Sequence, residues 1–147
     1  MSTTDGATRL LVDTSVFARI GYDSAVTAAF ATLIEEASTR QLLVCPPIAA
    51  EVGYMANSPA RHTKLMLELR EYTACPISPT SQDVLDIQHA LWSRGLLRAA
   101  GAMDTLIAAY AKVNEAAVLH YDSDFEHIAS ALPGFQHRWI VPRGTAG

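Results

Sequence analysis

The chain of 147 residues has only two cysteines, no excess of positive charge and no long apolar run, and each shortage closes off a class of protein. Cys45 and Cys75 are too few for a disulfide framework, and two sulfurs alone do not make a zinc site. Each stands directly before a proline at the end of a short apolar run, where a buried free thiol is expected. A formal net charge of -4 speaks against a surface that coats nucleic acid. It leaves a nuclease open, because acids gathered around a cation would make the formal charge misleading. No stretch approaches the roughly 18 apolar residues of a membrane span. The opening residues lack the basic start and apolar centre of a signal peptide. A cytoplasmic protein without membrane attachment is therefore expected. No internal repeat and no linker divides the chain.

What remains is a composition of 50% hydrophobic and 18% charged residues, which fits a single domain over residues 1–147, with an ordered core over 9–141 and loose ends. Leu10, Leu11 and Val12 form a run too short for a helix face, as expected of a buried parallel strand, and it ends abruptly in Asp13. Thr14 or Ser15 is suited to cap the short helix that follows. Helical spacing then covers residues 24–37, with Val26, Ala29, Phe30, Leu33, Ile34 and Ala37 as the buried side. A second strand, 42–45, is closed by Pro46 and Pro47, which open a helix running through Glu51. Ser58 and Pro59 mark the cap and first turn of another helix, so the two make a helical hairpin.

A weak third strand at 73–77 carries Pro76 and reads as an edge. Thr80 caps the helix after it, and a further amphipathic run covers 102–115. The fourth strand is 116–121, the last helix 124–132 and the last strand 136–141. Strands alternating with helices predict an α/β fold with a mainly parallel, five-stranded sheet.

Acids recur at corresponding places in this pattern. Asp13 follows the first strand, Glu51 lies in the helix after the second, Asp104 lies near the start of a helix, and Asp122 follows the fourth strand. Right-handed crossovers bring such strand ends to one edge of the sheet, where ligands gather. Two unit charges about 4 Å apart at an effective dielectric of about 20 repel by roughly 4 kcal/mol. Converging carboxylates therefore need protons or a cation. Oxygen-only ligands suit magnesium or manganese better than zinc, and such an ion favours hydrolysis of a phosphodiester.

Four motifs in this order resemble the PIN-domain proteins, and more narrowly the VapC toxins of bacterial toxin-antitoxin pairs. They are Leu11 to Phe17, Ala50-Glu51-Val52, Asp104 to Ala109, and the segment from Asp122 to Ala129. The resemblance implies a three-layer, Rossmann-like fold with a protruding helical hairpin. It implies an Mg- or Mn-dependent endoribonuclease inhibited by a cognate VapB antitoxin, associating as a homodimer and as a toxin-antitoxin hetero-oligomer. It carries Asp13, Glu51, Asp104 and Asp122 over as the catalytic acids, with Asp13, Asp104 and Asp122 on the ion and Asp124 as an auxiliary acid. Where the family often has Thr, two residues before the last motif acid, this chain has His120.

Arg98 is a candidate substrate contact, His120 a candidate for touching substrate or orienting an acid, and Arg19, Arg61, Lys64 and Arg94 are further candidates for RNA phosphates. Met55, Leu65, Met66 and Leu69 in the hairpin are candidates for antitoxin or dimer contact. Taken singly, Asp13 also fits a helix cap, Glu51 a solvated surface acid and Asp124 an N-cap. Other functions stay open. An Asp-nucleophile phosphatase would want a second Asp at position 15, where Ser15 stands; a receiver domain would want an acid after the third strand, where Cys75 and Pro76 stand. A non-catalytic binding or regulatory module would need none of the acids to turn over substrate.

Overall fold

A computed structural model describes residues 8–36, 39–96 and 98–146 of the chain; Ala37 and the residues at 1–6 discussed above lie outside them. The strands are β1 (Arg9–Val12), β2 (Gln41–Val44), β3 (Thr73–Ala74), β4 (Ala117–His120) and β5 (His137–Trp139). All four pairings are parallel, in the order β3-β2-β1-β4-β5. The sequence order reverses on either side of β1. The crevice beyond the carboxyl ends of β1 and β4 is thus the topological switch point at which open parallel sheets bind ligands.

Helices α1 (Thr14–Phe17), α2 (Ser24–Glu35), α3 (Pro46–Tyr54), α4 (Pro59–Leu69), α5 (Ser81–Ser93), α6 (Ala102–Val113) and α7 (Asp124–Ala131) supply the connections. Side chains of a strand alternate between faces. Leu10 and Val12 accordingly join Val26, Phe30 and Leu33 of α2 in one core, whereas Leu11 joins Ile48, Ile107, Phe125 and Ile128 in the other. Strand β3 is a two-residue edge, cut short just before Cys75 and Pro76. Both cysteines are free, and burial pushes the Cys45 and Cys75 thiols up to about 12 and about 11.

Several helix starts are those the sequence predicts. Ser58 accepts from the Arg61 amide, and Thr80 and Asp83 form a reciprocal capping box. The α3–α4 hairpin closes tightly at Gly53, where a Cβ would meet His62 Nε2 at 3.0 Å. Of α4 only Leu69 is buried, so this helix stands out from the core.

One expectation fails. The segment 142–146 is not loose: the Tyr121 hydroxyl accepts from the Gly144 and Ala146 amides at 2.9 and 3.0 Å and donates to the Ala146 carbonyl at 3.1 Å. A polar, glycine-containing tail carries no sign of this, because the anchoring group lies far back in the chain, beyond β4.

Candidate metal centre

The buried run of β1 ends where the Asp13 amide still donates to the Leu119 carbonyl at 2.9 Å, so β1 and β4 remain joined up to the acid. Asp13 itself caps α1, in place of Thr14 or Ser15. Its carboxylate accepts from the Ser15 amide at 3.0 Å and from the Ser15 hydroxyl at 2.6 Å. That hydroxyl in turn accepts from the Tyr121 amide at 2.8 Å, so one side chain ties the ends of β1 and β4 together. The Thr14 hydroxyl donates to Glu51 Oε1 at 2.7 Å, which draws the α3 acid to the same edge. Asp13 is 3% exposed. Burial raises its pKa, the Ser15 bonds pull it back, and the charges of Glu51 and Asp122 raise it again.

Three further acids converge from α6, the β4 end and α7. Asp104 lies in the first turn of α6, and Asp124 is the first residue of α7 rather than its cap. One carboxylate oxygen from each of Asp104, Asp122 and Asp124 lies within 4.8 Å of the others. The Asp124 amide donates to Asp122 Oδ1 at 2.9 Å, and the Gly101 amide, at the start of α6, donates to Asp124 Oδ2 at 3.4 Å. The Asp104 carboxyl is pushed up to about 9, first by burial, then by its hydrogen bond with Asp124, then by the charges of Asp122, Asp13 and Asp124. At neutral pH, with no cation, it therefore keeps a proton. Asp124, assigned an auxiliary place by the resemblance, sits in the tightest group, while Asp13 joins through charge.

His120 does not face the crevice. It is fully buried, so contact with a bound substrate is excluded, and its role lies beneath the acids. Its Nδ1 accepts from the Asp122 amide at 3.1 Å, and its Nε2 lies 2.8 Å from His137 Nδ1. An accepting Nδ1 puts the His120 proton on Nε2, which donates to His137. Burial pushes His120 down to about 3, so its ring stays neutral, and burial lowers His137 as well, against the opposing charge of Glu126. Phe125 and Trp139 pack against His120. The imidazole thus holds the backbone of Asp122 in place. His137 is part of the support that sequence reading misses as a partner. The signal lies in the β4–β5 register, which sets Val118 beside His137 and puts His120 on the same face.

Arg98 is exposed, with φ 60, and lines a depression with Trp92 and Gly101 at the entry to α6. It flanks the helix of Asp104, and among the described residues it makes no hydrogen bond or ion pair with the acids. Oxygen-only donors, close enough to share one ion and including a carboxyl that otherwise retains its proton, fit a hard divalent cation.

Comparison with known proteins bears on this geometry. Residues 10–131 match the family described as PIN domain. The chain is 34% identical over 140 residues to Ribonuclease VapC51 of Mycobacterium tuberculosis, covering 95% of this chain and 98% of that protein. It is 32% identical over 111 residues to Ribonuclease VapC18 of the same organism, covering 74% and 80%. Among solved structures it resembles VapBC2 from Rickettsia felis bound to a promoter DNA fragment, with TM-score 0.67, 14% identity and coverage of 89% and 98%. It also resembles DNA-bound VapBC from Salmonella typhimurium, with TM-score 0.66, 17% identity and coverage of 90% and 98%. At such identities the structural likeness is one of fold.

Proposed function

The chain belongs to the PIN domain family, and on that premise we propose that it is the toxin of a toxin-antitoxin pair, an Mg- or Mn-dependent endoribonuclease held inactive by a VapB-type antitoxin. The observation that carries the reading is the convergence of Asp104, Asp122 and Asp124 at the switch point of the sheet. Asp104, Asp122 and Asp13 hold the ion, with Asp124 completing the set. When bound, the ion offsets the clustered charge, polarises the phosphate and acidifies the attacking water. Asp104, which keeps its proton without a cation, would give that proton up to solvent on joining the ligand set. Glu51, fixed by Thr14, orients the water, and Ser15 keeps Asp13 aimed into the crevice. Asp13 as a phosphatase nucleophile is disfavoured, because one of its oxygens already accepts twice from Ser15 and position 15 supplies no acid.

Purified protein incubated with cellular RNA and Mg2+ or Mn2+ should cut it at mappable positions, stop cutting in EDTA, and leave small phosphoesters intact. Binding of RNA without cutting would favour the non-catalytic module; turnover of small phosphoesters would favour the phosphatase. The work is done in the cytoplasm, and among the described residues no helix is long and apolar enough to cross a membrane.

The antitoxin's place is an apolar groove of about 570 Å³ between the α1–α2 side and the hairpin, lined by Phe17, Ile34, Met55, Leu65, Leu69 and Tyr72. Met66, also expected there, is not among the residues that line it. A groove of this kind takes the apolar face of an amphipathic helix. Leu65→Glu should weaken binding of the cognate VapB-type antitoxin by about tenfold, the loss of roughly 1.4 kcal/mol. Titration of the two proteins measures this, and cleavage by the free variant should stay at the wild-type rate.

A further inference from the structure

On the ribonuclease reading, we propose that a basin beside the acids is a subsite for the phosphodiester neighbouring the scissile bond of a single-stranded RNA, with Arg19 and Arg143 as its cationic contacts. The basin measures about 540 Å³ and is lined by Ser15, Arg19, Tyr121, Asp122, Trp139 and Arg143, among others. Ser15 and Asp122 belong to the acidic site as well, so a strand with one phosphate at the acids passes directly into it. A chain of net charge -4 with clustered carboxylates repels RNA unless positive groups stand beside the site. The basin supplies two.

Contacts of Tyr121 bring both arginines to the basin. Arg19 donates to the Ser15 carbonyl at 2.8 Å and lies 4.7 Å from the centre of the Tyr121 ring. The hydroxyl of the same tyrosine makes the three bonds that fasten segment 142–146, and this brings Arg143 to the rim. Tyr121 thereby places one arginine with its ring and the other with its hydroxyl. Arg143 pairs with Glu126 at 3.3 Å, but the two side chains are 67% and 43% exposed. So exposed a pair contributes little, and a phosphate can replace Glu126 as the partner of Arg143. Trp139, edge-on to Tyr121 at 5.3 Å, gives the basin an aromatic wall for the attached base.

The test is fluorescence anisotropy of a labelled single-stranded RNA, with Mg2+ and an Asp13→Asn background so that the RNA stays intact. Arg143→Gln should raise Kd about fivefold and flatten the slope of log Kd against log salt by about 0.7, the value for one phosphate contact on a single strand. Arg143→Lys should keep most of the affinity. Tyr121→Phe retains the ring under Arg19 but releases the segment, and should shift Kd in the same direction as Arg143→Gln. Arg70→Gln, at the exposed end of α4, should change nothing. An unchanged Kd and salt slope for Arg143→Gln, in a protein whose wild type cuts RNA, would overturn the subsite alone. So would a loss confined to antitoxin binding, which would make the basin a protein contact. Failure of the unsubstituted protein either to bind or to cut RNA would overturn the ribonuclease reading itself.

Discussion

Asp104→Asn is expected to lower RNA cleavage by more than about 100-fold, beyond the 10- to 100-fold typical of losing an outer-shell partner of a metal site. In EDTA at pH 8 it is also expected to raise the melting temperature. The carboxyl of Asp104 is pushed up to about 9 in the folded protein, above its ordinary 3.8, by burial, by Asp124 and by neighbouring charges. Below the unfolded value both states carry the proton and the fold loses nothing. As pH rises from there toward 9, the unfolded chain releases the proton while the folded chain must keep it, and stability falls. Asparagine is neutral throughout and can still donate to Asp124, so the variant escapes that loss. Each kcal/mol recovered is worth about 2–4 °C in a domain of this size.

The gain should shrink toward pH 4 and reverse with saturating Mg2+, because only the wild type then gains the full stabilisation of the bound ion. Thermal melts at several pH values, with and without Mg2+, check this. A variant less stable than wild type in EDTA at pH 8 would contradict the electrostatic account of the cluster.

Ser15→Ala is the second substitution expected to act strongly, lowering cleavage by about 10- to 100-fold through a residue that need not touch the ion. Its hydroxyl donates to Asp13 and accepts from the Tyr121 amide. Alanine removes both bonds, leaves the carboxylate without its short hydroxyl donor, and strands an amide at the β4 end at a cost of about 1–3 kcal/mol. Ser15→Thr keeps the hydroxyl and should retain most of the activity. Single-turnover cleavage with saturating Mg2+, alongside denaturant unfolding, separates the positioning effect from the loss of stability. Equal cleavage by Ser15→Ala and wild type would show that Asp13 needs no such support.

Residues 10–13 were legible in the sequence because a short apolar run ending in an acid has few other meanings in an α/β chain. The starts of α4 and α5 were legible because Ser58-Pro59 and Thr80 with Asp83 act on their immediate neighbours. Convergence of the acids followed from topology, since parallel strands joined by right-handed crossovers share one carboxyl edge. What stayed hidden depends on register and side-chain direction. The sequence left the cap of α1 open between Asp13, Thr14 and Ser15, and it falls to Asp13 because the backbone leaves β1 in an extended conformation at that residue. The rank of Asp124 turns on the first turn of α7 aiming its carboxylate back toward Asp122 and Asp104. The burial of His120 against His137 requires the β4–β5 pairing, and the fastening of 142–146 requires Tyr121 to reach a segment more than twenty residues ahead.

On the proposed reading these acids form a divalent-ion site that hydrolyses RNA. Its most direct measurement is a Mn2+ titration of metal-free protein, followed by calorimetry and by RNA cleavage in the same samples. Wild-type cleavage should rise in step with ion saturation, and both signals should collapse in Asp104→Asn and Asp122→Asn. Cleavage that persists undiminished in EDTA, or in either variant, would contradict it.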